Sequence, residues 1–238
     1  MIAPLRQPEN RRDRVRAATL AEIRQTARRL LIDRGEQGVS LRAIAREMGM
    51  TAPALYRYFA NHGDLLTTVA DDIFGDLVAA LVAARDADPD ADVVDRLAAA
   101  ARAFRQWAVE HPREFAAVFA RPLPSLTGDC DTPNSQQLSR LFFELFLELW
   151  QARPFPVPAD GELAPALLVQ LRSWAEETIG LPIPVGALYA FFALWIRLYG
   201  LVALEVFGHL QYAVPDVQPL FDTAVAELAG RLRAGERP

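Results

Sequence analysis

Between residues 40 and 62 the chain sets out Ser40, Arg42, Thr51, Tyr56, Arg57, Tyr58 and His62, a run of hydroxyl, guanidinium, phenol and imidazole groups. Hydroxyls and phenols give single hydrogen bonds to phosphate oxygens, and a guanidinium can give two in parallel. Ala52 and Pro53 place apolar surface beside Thr51, of the kind that meets a thymine methyl. Such a mixture grips a polyanion and reads base edges; it does not break covalent bonds. Elsewhere the sequence assembles no reactive set. His62, His111 and His209 have no metal-ligand spacing, and neither a Gly-rich phosphate loop nor a nucleophile elbow occurs. Glu176 and Glu177 adjoin, so on a helix they point to different faces and make a poor acid–base pair. No catalytic residue, metal or cofactor is expected, and the chain is not read as an enzyme.

Short local elements must hold these groups out. Ser40 caps a helix whose apolar face is Leu41, Ile44, Ala45 and Met48, at the i, i+3, i+4, i+7 spacing of an amphipathic segment. Gly49 supplies the left-handed residue that stops it. Thr51 is expected to cap a second helix of two turns, with Pro53 in its first turn, where a missing N–H costs little. So short a helix buries little by itself. It is presented, as in a helix-turn-helix that offers its second helix to the DNA major groove. A preceding helix over residues 15–34 carries Leu20, Ile23, Ala27, Leu30 and Leu31 on one face. Leu31, Leu41, Ile44, Leu55 and Phe59 are its expected shared core with the two short helices. For Tyr58, packing on the first helix and contact with phosphate are both open.

Charge follows the same division. The net charge of −5 splits into twelve Arg against six acids in residues 1–60, a balance of +6, and thirteen Arg against twenty-four acids beyond, a balance of −11. A basic head on an acidic body restricts where a polyanion can dock. Cys130 is the single cysteine, which excludes an internal disulfide and fits a reducing, cytoplasmic setting. It sits in a stretch rich in Pro, Gly and Asp (122–133) and reads as a passenger. The N-terminal residues lack an apolar signal-peptide core.

Beyond the head, helical patterns recur at 61–85 (Asn61 as cap), 93–110, 112–120, 135–151, 162–179, 185–208 and 217–233. No alternating β-branched run interrupts them, so the fold class is all-α, with about ten helices. The segment 185–208 is apolar nearly all round, with Arg197 and Glu205 its only charges. It is long enough to span a bilayer. Arg197 would then lie near mid-membrane at a cost of about 2.5–3.5 kcal/mol or more. Burial between the protein's own core and a partner subunit explains the same pattern, and no membrane association is expected.

The head resembles the DNA-binding domain of the TetR/AcrR family of bacterial transcriptional regulators. The resemblance rests on Gly38-Val39-Ser40-Leu41-Arg42-Ala43-Ile44-Ala45, Gly49-Met50-Thr51, Leu55-Tyr56-Arg57-Tyr58-Phe59 and Asp64-Leu65-Leu66. The family usually has lysine at the start of the fourth helix, where this chain has His62. Trp195-Ile196-Arg197-Leu198-Tyr199-Gly200, with Glu205 and Gly208, resembles a Trp-His-Gly-type C-terminal domain, Tyr199 standing in the histidine slot. Residues 1–13 read as a disordered arm, in which Arg6, Arg11 and Arg12, with Arg14 and Arg16 just beyond, could contact phosphates or a minor groove, a solvated tail being the plainer alternative. The resemblance implies a helix-turn-helix domain over 14–62 and a ligand-binding and dimerisation domain over 63–238. It also implies a homodimer through the late helices (about 185–233), binding to double-stranded operator DNA, and release by a bulky apolar or aromatic effector. The nine aromatics Phe104, Trp107, Phe115, Phe119, Phe142, Phe146, Trp150, Trp174 and Tyr199 are then candidates to line the effector pocket. Arg172, Glu176 and Tyr199 are candidate polar handles. Taken singly, each aromatic reads equally as core. An α-helical enzyme or a carrier for lipophilic molecules is the alternative, but neither accounts for the basic head.

Overall fold

In a computed structural model, residues 10–120, 132–178 and 183–238 are described; Cys130 and most of the stretch around it lie outside them, as do residues 1–9. Ten α-helices and no strand occur among the described residues: α1 (Arg11–Arg34), α2 (Leu41–Glu47), α3 (Ala52–Leu55), α4 (His62–Arg85), α5 (Val93–Glu110), α6 (Pro112–Phe115), α7 (Pro133–Ala152), α8 (Pro165–Thr178), α9 (Val185–Val206) and α10 (Gln218–Arg233). The all-α expectation holds. The described residues pack as two compact units, those within 1–75 and 113–135, and those within 76–112 and 136–238.

In the first unit, α1 starts four residues earlier than the apolar pattern suggests. The Asn10 side chain accepts from the Arg12 N–H at 3.4 Å, and Asp13 favours the positive end of the helix, so polar residues extend it. Ile23, Ala27, Leu30 and Leu31 of α1 are buried, as are Leu41, Ile44, Leu55 and Phe59, the residues expected to form the core of the head. Ser40 caps α2 by accepting from the Ala43 N–H at 3.0 Å. Gly49, at φ 65°, turns the chain out of it. Asn61 accepts from the Asp64 N–H at 2.9 Å and so starts α4.

Two expectations fail around α3. The helix is one turn, not two, and passes into a turn at Tyr56–Tyr58. Thr51 occupies the cap position with extended backbone, but its hydroxyl makes no capping bond. Pro53 is the reason. A cap hydroxyl accepts from the second or third helical N–H; Pro53 at the second position has none, and the Ala54 N–H goes to the Thr51 carbonyl at 2.9 Å.

The segment 112–120, expected as one helix, is the single turn α6 followed by a π-helical turn over Ala116–Ala120. α6 is tied to α1 by two ion pairs, Arg28 with Glu114 at 3.6 Å and Arg113 with Asp33 at 3.7 Å. Phe119 meets Phe74 of α4 edge-on at 5.6 Å. At the start of α7, the Asn134 backbone N–H donates to the Asp71 carboxylate at 2.9 Å, and its side chain donates to the Asp71 carbonyl at 3.0 Å.

In the second unit, α5, α7, α9 and α10 surround an aromatic core in which Phe104, Phe146 and Phe221 are almost wholly buried. A smaller cluster joins α8 to α9 through Leu171, Val185 and Leu188, with Trp174 against it.

Candidate nucleic-acid interface and effector pocket

The arginines of the head fall into two sets. Arg24 and Arg29 are neutralised by carboxylates: Arg24 Nε donates to Asp72 at 2.6 Å, and Arg29 reaches Glu47 at 2.6 Å. On α2 and just after α3, Arg42, Arg46 and Arg57 are exposed and have no ion-pair partner among the described residues. Unpaired guanidiniums beside one another repel and gain nothing for folding, so their free donors are available to an external anion. Arg46 lies one helical turn from Arg42, on the same face, and that i, i+4 spacing marks it as a residue the sequence reading left out.

Between these cations stands the turn that carries the reading groups. Thr51, with its hydroxyl free of capping, and Pro53 are exposed; Ala52 is half-buried. Tyr56 is 56% exposed. Tyr58 is half-buried, with the Arg16 guanidinium 5.3 Å from its ring centre, so its ring is held against α1. Ser40 is exposed, and while its oxygen accepts the capping bond, its O–H remains able to donate. His62, half-buried, is fixed by a 2.9 Å contact between Nε2 and the Val39 carbonyl. That nitrogen donates to the backbone, which leaves Nδ1 as the ring's open position.

The second unit holds a cavity of about 130 Å³. Val94, Leu97, Ala98 and Ala101 of α5 form one wall, Phe142 and Phe146 of α7 another. Phe191, Leu194, Trp195, Leu198 and Leu201 come from α9, and Phe221, Val225, Leu228 and Leu232 from α10. Arg197 is the one charged residue among those lining it.

Phe142 and Phe146 are thus the members of the aromatic set placed at the cavity. Phe104 stands directly behind, 5.6 Å from Trp195 and 6.3 Å from Phe142. Tyr199 stacks on Trp195 at 6.1 Å, and burial raises its phenol pKa above the usual 10.0. Trp107 packs beside His111, Trp150 against Phe155, and Trp174 edge-on to Phe143. Phe115 and Phe119 belong to the first unit. Arg172 is paired with Asp160 at 2.5 Å, and Glu176 is exposed. Phe191, Trp195 and Phe221 went unselected. The i, i+4, i+7 spacing of residues 191, 195 and 198 on α9, and the matching stripe 221, 225, 228 and 232 on α10, are the signals that select them.

Beside the cavity, Arg105 of α5 is held in a buried polar knot. Its Nε donates to Glu205 Oε2 at 2.7 Å and its Nη2 to Glu205 Oε1 at 2.5 Å. Its Nη1 donates to Gln218, and the guanidinium lies 5.2 Å from the centre of the Phe221 ring. The knot ties α5, α9 and α10 together, and Phe221 is shared with the cavity wall.

Residues 23–69 match the sequence model described as bacterial regulatory proteins, tetR family, and residues 97–228 that of the tetracyclin repressor-like C-terminal domain. The HTH-type transcriptional regulator Rv1816 of Mycobacterium tuberculosis is 32% identical over 190 residues, 79% of this chain and 80% of its own. The crystal structure of regulatory protein SCO4313 superposes with a TM-score of 0.70 at 27% identity, over 94% of this chain and all of that one. AibR, solved with isovaleryl coenzyme A and operator DNA, shares the fold at a TM-score of 0.52 and 19% identity, over 87% of this chain and 96% of its own.

Proposed function

The chain belongs to the TetR family of DNA-binding transcriptional regulators, which are not enzymes, and from that premise we propose that it is a homodimeric repressor released from a palindromic operator by a small apolar or aromatic effector. The observation that carries the DNA-binding part is the unpaired set Arg42, Arg46 and Arg57 around the exposed Thr51 and Tyr56. Residues 14–62 act as the reading head and residues 63–238 as the effector-binding and dimerisation domain. Ser40, Arg42, Tyr56, Tyr58 and His62 contact phosphates; Thr51, Ala52, Pro53 and Arg57 face base edges. The effector occupies the cavity of the second unit, lined by Phe142 and Phe146.

Dimerisation explains α9. The helix is long and apolar enough to cross a membrane by length and composition, yet Ile196 is 66% and Leu204 42% exposed. A second copy of the same helix covers that face, and the protein stays in the cytoplasm. Two heads then present α3 to successive major-groove faces one turn of DNA apart, about 34–36 Å.

Release follows chain continuity. α4 runs unbroken from the first unit into the second. α5, a wall of the cavity, continues through His111 into α6, whose Arg113 and Glu114 hold α1. An effector that shifts α5 therefore changes the setting of the head, with a coupling of about 1–3 kcal/mol expected for two antagonistic sites. Selection of bound DNA from a random pool tests the reading. It should return a palindrome with half-sites about one helical turn apart, bound more weakly as salt rises. Recovery of no preferred sequence, or affinity indifferent to salt, would defeat it.

A further inference from the structure

We propose that the cavity of the second unit takes a monocarboxylate with a compact apolar body, its carboxylate held by Arg197; this rests on the reading of that cavity as the effector site. The walls come from α5, α7, α9 and α10 and are hydrocarbon or aromatic almost throughout. Their backbone groups are engaged in helical hydrogen bonds, and the side chains offer only the Trp195 indole N–H besides Arg197. A ligand with hydroxyls or amides along its body would leave them desolvated and unpaired there, which disfavours binding. Any polar group of the ligand is therefore confined to the place where the wall becomes a cation.

Arg197 is suited to hold it. The residue is exposed, lines the cavity, and has no hydrogen-bond or ion-pair partner among the described residues. The buried and half-buried arginines of this unit differ: Arg105 is committed to Glu205 and Gln218, Arg153 to Asp92, Arg96 to Glu148, Arg85 to Asp86 and Arg231 to Glu236. On α9, Leu194, Arg197 and Leu201 fall at i, i+3, i+7, so the guanidinium edges the same stripe that forms the wall. A planar fork presents two parallel donors, which matches a carboxylate. Size limits the body. A cavity of roughly 150 Å³ lined by Leu, Ile and Phe admits a single benzene, and this one is about 130 Å³. The body is one ring, or an acyl chain of similar bulk.

The probes are phenylacetate, the neutral phenylacetamide and 2-phenylethylammonium, titrated calorimetrically into the full chain. Phenylacetate should bind tightest, by at least about tenfold over the amide, the factor that corresponds to about 1.4 kcal/mol. The ammonium should not bind. Arg197→Gln should bring phenylacetate to the level of the amide, and Arg197→Lys should keep part of the preference. Ala101→Phe, which fills the cavity, should abolish binding of both. The assignment is overturned if acid and amide bind alike, if the preference survives Arg197→Gln, if phenylacetate still binds after Ala101→Phe, or if none of the probes binds. A labelled operator fragment read by anisotropy separates the two readings. Phenylacetate bound with no release of DNA counts against the regulatory role and leaves the carboxylate site standing.

Discussion

Removing Glu205 should destabilise the protein by about 3 kcal/mol, because it strips a buried guanidinium of its counter-charge. Arg105 and Glu205 side chains are 11% and 12% exposed and joined by two charge-assisted bonds. At about 4 Å and an effective dielectric constant of about 20, unit charges attract by about 4 kcal/mol, most of which repays the cost of taking them out of water. Breaking such a pair from one side typically costs about 3–5 kcal/mol. In Glu205→Ala, Gln218 and the Phe221 face still receive part of the charge, so the lower end applies. Replacing both partners, Arg105→Leu with Glu205→Leu, removes the orphan and should return stability to within about 1 kcal/mol of the parent, or above it. Urea unfolding at one fixed protomer concentration measures both, since a dimer's stability depends on concentration. A loss below about 1 kcal/mol for Glu205→Ala, or a double variant as unstable as the single one, would refute the account. Phe221 belongs to both the knot and the cavity, so the single variant should also weaken phenylacetate binding.

Tyr56→Phe removes one exposed phenol and should leave stability unchanged while weakening operator binding by about 0.5–1.5 kcal/mol on every sequence alike; an altered base preference in the selection assay would contradict its assignment to phosphate. Ser40→Ala loses the cap on the Ala43 N–H and should cost about 1 kcal/mol in urea unfolding, a cost that no change in midpoint would rule out. Tyr199 has its folded pKa raised by burial, so the unfolded chain gives up that proton first. Its contribution is whole below the usual 10.0 and fades as pH rises through the higher folded value. Tyr199→Phe should flatten the alkaline decline in stability, and an identical decline in parent and variant would show that Tyr199 is not its source.

What could be read from the sequence depended on whether the cause was local. Ser40, Gly49 and Asn61 act on their own few neighbours, and the structure has each in its expected role. Thr51 failed because two local rules met: a cap residue followed two places on by a proline loses the donor it would serve. The start of α1 was missed because apolar periodicity is silent on polar residues that extend a helix from its cap. The effector pocket was harder for a different reason. Aromatic type says that a side chain is large, while helix phase says which way it points; Phe191 and Trp195 share a face with Leu198, and the set chosen by type scattered over both units. Arg105 and Glu205 lie one hundred positions apart, and only the folding of α5 onto α9 brings them together.

The two faces of α9 connect the proposals. A helix apolar all round needs neighbours on both sides, and its own chain supplies only one: Phe191, Trp195 and Leu198 face the cavity, while Ile196 and Leu204 face outward uncovered. Lipid is a poor second neighbour, because Arg197 stands near the middle of the helix at about 2.5–3.5 kcal/mol in a bilayer. A second copy fits better. Ala193, Gly200 and Ala203 lie between the exposed apolar residues, and small side chains let two backbones approach closely around a two-fold axis. In the proposed dimer, then, the same helix is cavity wall on one side and subunit contact on the other. A ligand that moves Trp195 or ties down Arg197 acts on a helix whose opposite face fixes how the subunits, and with them the two reading heads, are held.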